Sequence, residues 1–196
     1  MTHAARSETY LRVGERTALR RPTLADQEEY LALRRLSAAF HRPWEPAPQP
    51  GAETYGPEAF ARYLEGAKQR SRERLLLCRI EDGVILGALN LSEIVRGPLQ
   101  SAYLGYWIGS MHAGRGYMGE GVRLILRHAF ETLGLHRLEA NIRPENRASI
   151  ALVSRNGFRR EGYSPRYLHI DGEWRDHERW AILSDELPPE SAPRTP

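Results

Sequence analysis

In the middle of the chain, apolar residues either alternate with polar ones or form short buried runs, and turn residues separate the segments, a pattern that predicts β-strands. Residues 72–82 (RERLLLCRIED) predict one strand, Asp-Gly at 82–83 predicts a hairpin turn, and residues 84–95 (VILGALNLSEIV) predict the next strand. After a turn at RGP, residues 99–109 (LQSAYLGYWIG) predict a third strand. Its faces carry Leu104, Tyr106 and Ile108 on one side and Tyr103, Gly105 and Trp107 on the other. Together these segments predict an antiparallel meander.

Before the meander, the spacing of apolar residues becomes helical. We expect a strand at 16–21, a helix over 23–40 with Thr23 or Asp26 near its start, and a second helix over 57–70. Between the two helices, the prolines of HRPWEPAPQPG exclude regular helix.

After the meander, strands and helices alternate. A helix over 117–133 has an apolar face and ends at Gly134. A strand at 136–143, a helix at 144–158 and two strands joined at 171–172 follow it. This order predicts an α/β protein with a mixed sheet and helices on its faces. We expect one domain over 9–187, flanked by a flexible start (1–8) and a disordered tail (188–196).

The composition limits the classes of protein to which the chain can belong. The chain has 196 residues, of which 41% are hydrophobic, enough for one domain with a sizeable core. No stretch approaches the roughly 18 apolar residues of a membrane span, and the first residues lack the apolar core of a secretory signal. We therefore expect a cytoplasmic protein. The net charge of +3 is compatible with an anionic ligand but is too small to indicate nucleic-acid binding.

Cysteine and histidine usage argues against a metal site. Cys78 is the one cysteine, and its apolar neighbours favour a buried thiol over a reactive one. The seven histidines include no His-x-x-x-His pair, so no metal is expected.

Four glycines crowd the stretch HAGRGYMGEGVRLILRHAF, at the start of the predicted helix over 117–133. Glycine is costly unless the backbone bends unusually or something approaches closely, and a helix start offers unpaired N–H groups. The combination suits a phosphate. The loop is neither a Walker loop nor a dinucleotide fingerprint, so alone it is equally compatible with a tight turn.

The order of the motifs resembles that of the GNAT acyltransferases. A strand ending YWIG, a glycine loop with a basic residue, a helix, a strand and P-x-N-x-x-S occur in succession. The segments PWEP, VRG, YLGY, HRLEANIRPENRAS, GF with EGY, and YLHIDGEWRDH, spread over residues 43–177, resemble more narrowly the RimJ-type protein N-terminal alanine acetyltransferases.

The resemblance implies acetyl-coenzyme A (acetyl-CoA) as the acetyl donor. Its pyrophosphate is expected on main-chain N–H groups of Arg115, Gly116, Tyr117, Met118, Gly119 and Glu120, with the Glu120 side chain structural. Its pantetheine arm is expected beside Trp107 and Ile108, where a backbone N–H can hold the developing oxyanion. Two positions depart from the superfamily loop: Ala113 replaces a Gln or Arg, and Met118 replaces a small residue.

Two catalytic candidates follow from the resemblance. Many relatives carry a tyrosine where this chain has Val153, so Ser149, beside the cleft residue Asn146, becomes the candidate acid at the leaving sulfur. The alternative is that Asn146 only caps the helix and Ser149 is its third residue. A sister branch has a catalytic glutamate where this chain has Asn141, so Glu139 is the candidate base through water, or else an arginine's surface partner.

The expected acceptor is the N-terminus of a protein, with a ribosomal protein favoured. An α-amine has a pKa of about 7.7–8.0 and a lysine about 10.4, so a site with a weak base suits the α-amine. The candidate acceptor-binding residues are Trp44, Glu45, Asn141 and Tyr167. The alternative is that Trp44 is an ordinary core residue and Glu45 an ordinary surface residue. The alternatives are acetylation of a small-molecule amine and a non-catalytic module that binds acyl-CoA or the ribosome. No membrane or nucleic-acid partner is expected, and the chain is predicted to be a monomer or homodimer.

Overall fold

The computed structural model describes residues 10–47 and 53–187, so the predicted flexible start and disordered tail lie outside the described residues. In this part of the chain the strands are β1 (Tyr10–Val13), β2 (Thr17–Arg20), β3 (Glu73–Arg79), β4 (Ile85–Val95), β5 (Ser101–Ile108), β6 (Arg137–Ile142), β7 (Arg159–Ile170) and β8 (Glu173–Leu183). The α-helices are α1 (Gln27–Leu36), α2 (Ala38–His41), α3 (Pro57–Ala67), α4 (Tyr117–Arg127) and α5 (Arg147–Arg155).

The strands form one mixed sheet in the order β1-β2-β3-β4-β5-β6-β8-β7. The predicted meander is present as β3, β4 and β5, which pair antiparallel. β5 and β6 pair parallel, and α4 lies between them in the chain, since parallel neighbours need a crossover connection. The predicted α/β class with a mixed sheet is confirmed.

β5 and β6 separate soon after they meet. Their parallel register covers only Ser101 with Arg137, Ala102 with Leu138 and Tyr103 with Glu139. Both strands nevertheless continue, β5 to Ile108 and β6 to Ile142. The sheet therefore opens into a wedge at the carboxyl ends of these two strands, a position where α/β sheets commonly bind ligands.

The core lies on both faces of the sheet, which explains the unbroken apolar run of β3. Leu75 and Leu77 pack in the cluster with α4, whereas Leu76 and Cys78 pack with residues of α1 and α3. A strand covered on both faces needs apolar residues at every position rather than at alternate ones. Cys78 is fully buried, and burial raises the pKa of its thiol to about 11, in keeping with the predicted buried thiol.

Three elements differ from the expectations. β1 was not expected, and the predicted strand at 16–21 is β2, which β1 pairs. The helix predicted over 23–40 is broken: a 3-10 turn precedes α1, and Ser37 separates α1 from α2. The Ser37 hydroxyl accepts the N–H of Ser110 at 3.0 Å, so this break is used to hold the segment after β5. The helix predicted over 117–133 ends its α-helical part at Arg127 and continues as a π-turn.

Candidate active site

Two joined cavities occupy the wedge. The large cavity, of about 990 Å³, lies beside the end of β5 and the starts of α4 and α5. The small cavity, of about 170 Å³, lies between the separated ends of β5 and β6. Four residues line both cavities: Trp44, Tyr106, Asn146 and Ser149. Two ligands, one in each cavity, can therefore both contact these residues.

The glycine loop forms one wall of the large cavity. Gly114 and Gly116 have φ of +75° and +83°, a left-handed backbone that favours glycine. α4 begins directly after Gly116, and the N–H groups of its first turn (Tyr117, Met118 and Gly119) have no carbonyl partner within that helix. With the positive end of the helix dipole, they form an anion-binding site. Gly116, Met118 and Gly119 line the large cavity, whereas Arg115 and Tyr117 do not.

Glu120 fastens the loop to the sheet. Its Oε1 accepts the N–H of Arg16 at 2.8 Å and the N–H of Thr17 at 3.0 Å, and its side chain is buried. Its own N–H donates to the Gly116 carbonyl at 3.3 Å, inside the helix. The carboxylate therefore has the structural role expected of it. The expectation that its main-chain N–H binds phosphate is wrong, because that N–H already has a partner.

At the end of β5, the main-chain N–H and C=O groups of Ile108 point into the wedge. Gly109 N–H donates to the Leu86 carbonyl at 2.8 Å, and the antiparallel ladder alternates from there. The N–H and C=O groups of Trp107 therefore point to β4, whereas those of Ile108 point toward β6 and the wedge. Of the two residues predicted here, Ile108 is the one whose N–H is directed toward the wedge. Trp107 contributes its ring, which lines the large cavity.

His41 joins this region to the segment that carries Trp44 and Glu45. Its Nε2 lies 2.8 Å from the Ile108 carbonyl, and its Nδ1 lies 3.0 Å from Arg34 Nη1. A carbonyl only accepts and a guanidinium only donates, so His41 is neutral with both ring nitrogens engaged. Burial lowers its pKa, consistent with this state.

Trp44 and Glu45 both line the large cavity. Arg34 donates two hydrogen bonds of 2.7 Å to the Glu45 carboxylate, so Glu45 is paired within the protein. Trp44 is 36% exposed and lies under the Arg143 guanidinium, 5.4 Å from the ring centroid. The core alternative for Trp44 is therefore wrong, and Glu45 acts mainly as an anchor of this segment.

Ser149 and Tyr106 form a hydroxyl pair where the cavities join. Asn146 caps α5, because its Oδ1 accepts the Ser149 N–H at 3.1 Å. Ser149 Oγ lies 2.5 Å from the Tyr106 hydroxyl. Burial raises the pKa of Tyr106 to about 12, so the phenol stays protonated. Asn146 therefore both caps α5 and lines the cleft. No sequence motif assigns a function to Tyr106, although a hydroxyl on the apolar face of β5 was an available signal.

Glu139 lies outside both cavities. It stands opposite Tyr103 in the last parallel pair, before the strands separate. Arg137 Nε donates to its Oε1 at 2.8 Å. The structure therefore bears out the alternative of an arginine partner and does not bring Glu139 to Ser149.

The small cavity brings together residues from β5, β6, β8 and α5. Asn141 lines it, and its buried Oδ1 has no hydrogen-bond partner among the residues that the structure describes. His177, from β8, also lines it and is buried. Tyr167 lies outside the lining, with its ring edge-on to His177 at 6.0 Å. His177 belongs to a motif noted in the sequence, but no pattern in the sequence assigned it a role.

Residues 10–47 and 53–187 contain neither a candidate metal-binding cluster nor a candidate membrane-spanning helix. No group of three or more His, Cys, Asp or Glu side chains in these ranges could hold a metal ion. No helix in the described part of the chain is both long and apolar enough to cross a bilayer.

Known proteins share this architecture. A family profile described as the acetyltransferase (GNAT) domain matches residues 16–159. The ribosomal protein uS5-alanine N-acetyltransferase of Escherichia coli (strain K12) is 37% identical over 154 residues, which cover 76% of this chain and 78% of that one. The solved structure of Mycobacterium smegmatis RimJ in complex with CoA-disulfide has a TM-score of 0.81 at 32% identity, covering 88% of this chain and 84% of that one.

A second solved structure is similar in fold alone. Spermidine N-acetyltransferase from Vibrio cholerae, in complex with CoA and spermine, has a TM-score of 0.75 at 22% identity. The match covers 88% of this chain and 98% of that one.

Proposed function

Because this chain belongs to the GNAT acetyltransferase family, as its sequence motifs predicted, we propose that it acetylates the α-amine at a protein N-terminus, with a ribosomal protein as acceptor. One observation carries the proposal. Ser149 lines both the large and the small cavity, so a donor in one and an acceptor in the other can both reach it. This arrangement fits direct attack by the amine within a ternary complex.

Acetyl-CoA is the cosubstrate, and it supplies the acetyl group as a thioester. The large cavity has the donors that its pyrophosphate needs: the free N–H groups at the start of α4. Four arginines in the lining add positive charge, namely Arg16, Arg123, Arg147 and Arg155. The Ile108 N–H is the group proposed to stabilise the developing oxyanion.

Ser149 is proposed to act at the leaving sulfur as a hydrogen-bond donor. The Tyr106 phenol keeps its proton at neutral pH, and either hydroxyl can be the donor in its hydrogen bond with Ser149 Oγ. In the proposed arrangement Tyr106 donates, which leaves the Ser149 proton free to point at sulfur. A serine hydroxyl is too weak an acid to lose its proton outright, so the pair stabilises the departing thiolate. Asn146 fixes the main chain of Ser149 and thereby the position of its hydroxyl.

The small cavity suits a neutral amine better than a polycation. As described, its lining contains Arg143 but no carboxylate, so it would repel the several positive charges of a polyamine. The buried Asn141 Oδ1 offers an acceptor to an amine N–H. At neutral pH a useful fraction of α-amine is already uncharged, whereas very little lysine is. These features and the uS5-alanine relative favour a protein N-terminus.

A substrate panel tests the proposal. Peptides that begin with Ala, Ser or Met, together with spermidine and an aminoglycoside, are incubated with acetyl-CoA, and the products are measured by mass spectrometry. We expect acetylation of the peptide α-amine, with Ala-initiated peptides preferred. Faster acetylation of spermidine or the aminoglycoside would establish a small-molecule acceptor. Binding of acetyl-CoA without turnover of any amine would establish a non-catalytic module.

A further inference from the structure

We propose that His177 is the general base that takes the proton from the attacking amine. The inference rests on the proposed function, since it assigns the small cavity to the acceptor. It replaces Glu139, which the fold keeps outside both cavities. His177 lines the small cavity together with Ser149, so base and leaving-group donor face one space.

The hydrogen bonding of His177 fixes its tautomer. Its Nδ1 lies 3.0 Å from the carbonyl oxygen of Arg175. A carbonyl only accepts, so Nδ1 carries the hydrogen and Nε2 carries the lone pair. The backbone of β8 thus leaves a proton acceptor on a ring that lines the small cavity.

The other histidines beside the cleft are less suited to this role. His41 has one nitrogen on the Ile108 carbonyl and the other on Arg34, so neither can take a proton without breaking a contact. His112 lines the large cavity, on the side assigned to the coenzyme. Of the three, His177 alone lines the small cavity.

The surroundings keep His177 uncharged before the reaction. Burial is the main cause that lowers its pKa, and the charge of Arg143 lowers it further. The hydrogen bond to the Arg175 carbonyl and the charges of Glu145 and Asp176 act in the opposite direction but do not cancel the effect. The nearby phenols are those of Tyr167 and Tyr106, and burial keeps Tyr106 neutral. At neutral pH the ring is therefore in the form that accepts a proton.

The proton balance of the step is simple. The amine lone pair forms the C–N bond, and one N–H proton passes to His177 Nε2. The C–S bond breaks with its electron pair on sulfur, which Ser149 stabilises by a hydrogen bond. The proton on His177 returns through solvent to the thiolate. The net change moves one proton from nitrogen to sulfur, with no further reactant.

The test compares His177→Asn with His136→Asn. The side-chain amide introduced by His177→Asn can still donate to the Arg175 carbonyl but has no basic nitrogen, and His136 is an exposed histidine outside both cavities. We measure kcat against pH at saturating substrates, where kcat reports ionisations of the ternary complex. For wild type and His136→Asn we expect kcat to fall as the pH drops through a value below about 6.5. For His177→Asn we expect kcat about 10²-fold lower and that acidic limb lost.

Rescue by imidazole separates a chemical role from a structural one. His177→Ala, checked for folding by thermal denaturation, should regain activity with added imidazole in proportion to the neutral imidazole present. An unchanged acidic limb in His177→Asn, or no rescue in a folded His177→Ala, would overturn the assignment of the base.

The assay uses whichever amine the wild type acetylates. Preference for a small amine overturns the proposed acceptor but still tests His177. Loss of the acidic limb with a peptide supports both proposals, and no turnover by the wild type overturns both.

Discussion

The large and small cavities meet at one serine, yet they are built from different chemistry. The large cavity offers main-chain N–H groups from one continuous loop and helix start, with Gly114 and Gly116 shaping the backbone. The small cavity offers side chains from separate elements, among them Asn141 of β6 and His177 of β8. A main-chain site tolerates changes of side chain, whereas a side-chain site depends on each residue. Donor recognition should therefore depend on the residues that shape or support the backbone, such as Gly116 and Glu120, whereas acceptor chemistry should depend on individual side chains.

The largest expected effect concerns the support of the large cavity. Glu120→Ala removes two hydrogen bonds to a buried carboxylate, each worth about 1.5–3 kcal/mol. We expect the free energy of unfolding, measured with urea, to fall by about 3 kcal/mol or more. Glu120→Gln keeps an acceptor oxygen and should lose only about 1 kcal/mol. Equal losses in the two variants would contradict the role of Oε1 as the acceptor of both N–H groups.

The next effect concerns the junction of the cavities. Ser149→Ala should lower kcat by about 10²-fold with little change in KM for acetyl-CoA, since the hydroxyl acts as the thiolate forms. Tyr106→Phe should lower kcat less, and the double variant should resemble Ser149→Ala, because the two hydroxyls act as a unit. Ser154→Ala, on the exposed face of the same helix, is the control. Additive effects would show that the hydroxyls act separately.

A smaller effect tests main-chain recognition directly. Gly116→Ala and Gly134→Ala each place a side chain at positive φ, with strain of about 1–2 kcal/mol. Only the first lies in the lining of the large cavity. We expect the Kd for CoA, measured by calorimetry, to rise about tenfold in Gly116→Ala and to stay unchanged in Gly134→Ala. Equal Kd values for the two variants would mean that the loop does not hold the coenzyme.

The smallest effect concerns the acceptor alone. Asn141→Ala removes the buried Oδ1 proposed to accept the amine N–H, an interaction worth about 1 kcal/mol. We expect KM for the peptide to rise about fivefold, with KM for acetyl-CoA unchanged as the internal control. A change confined to acetyl-CoA would place Asn141 on the donor side.

The sequence predicted the sheet and the large cavity better than the small one. Local patterns predict the meander and the glycine loop, because the alternation of a strand and the glycines of a tight loop are visible within a few residues. The wedge has no such signal, since it arises where the β5–β6 register stops after Tyr103. Glu139 and Asn141 share a face of β6, but only the wedge decides that Asn141 lines a cavity and Glu139 does not. His177 reaches that cavity from a strand far along the chain, and no local spacing encodes that contact.

The most direct test is a crystal structure with a bisubstrate analogue, in which CoA is joined through its acetyl group to the α-nitrogen of an Ala-initiated peptide. We expect the pyrophosphate to contact the N–H groups of residues 117–119 and the sulfur to lie beside Ser149. We also expect the α-nitrogen to lie in the small cavity, within hydrogen-bond reach of His177 directly or through one water. A complex in which the peptide leaves Ser149 by another route, with the small cavity empty, would contradict the proposed roles of the two cavities.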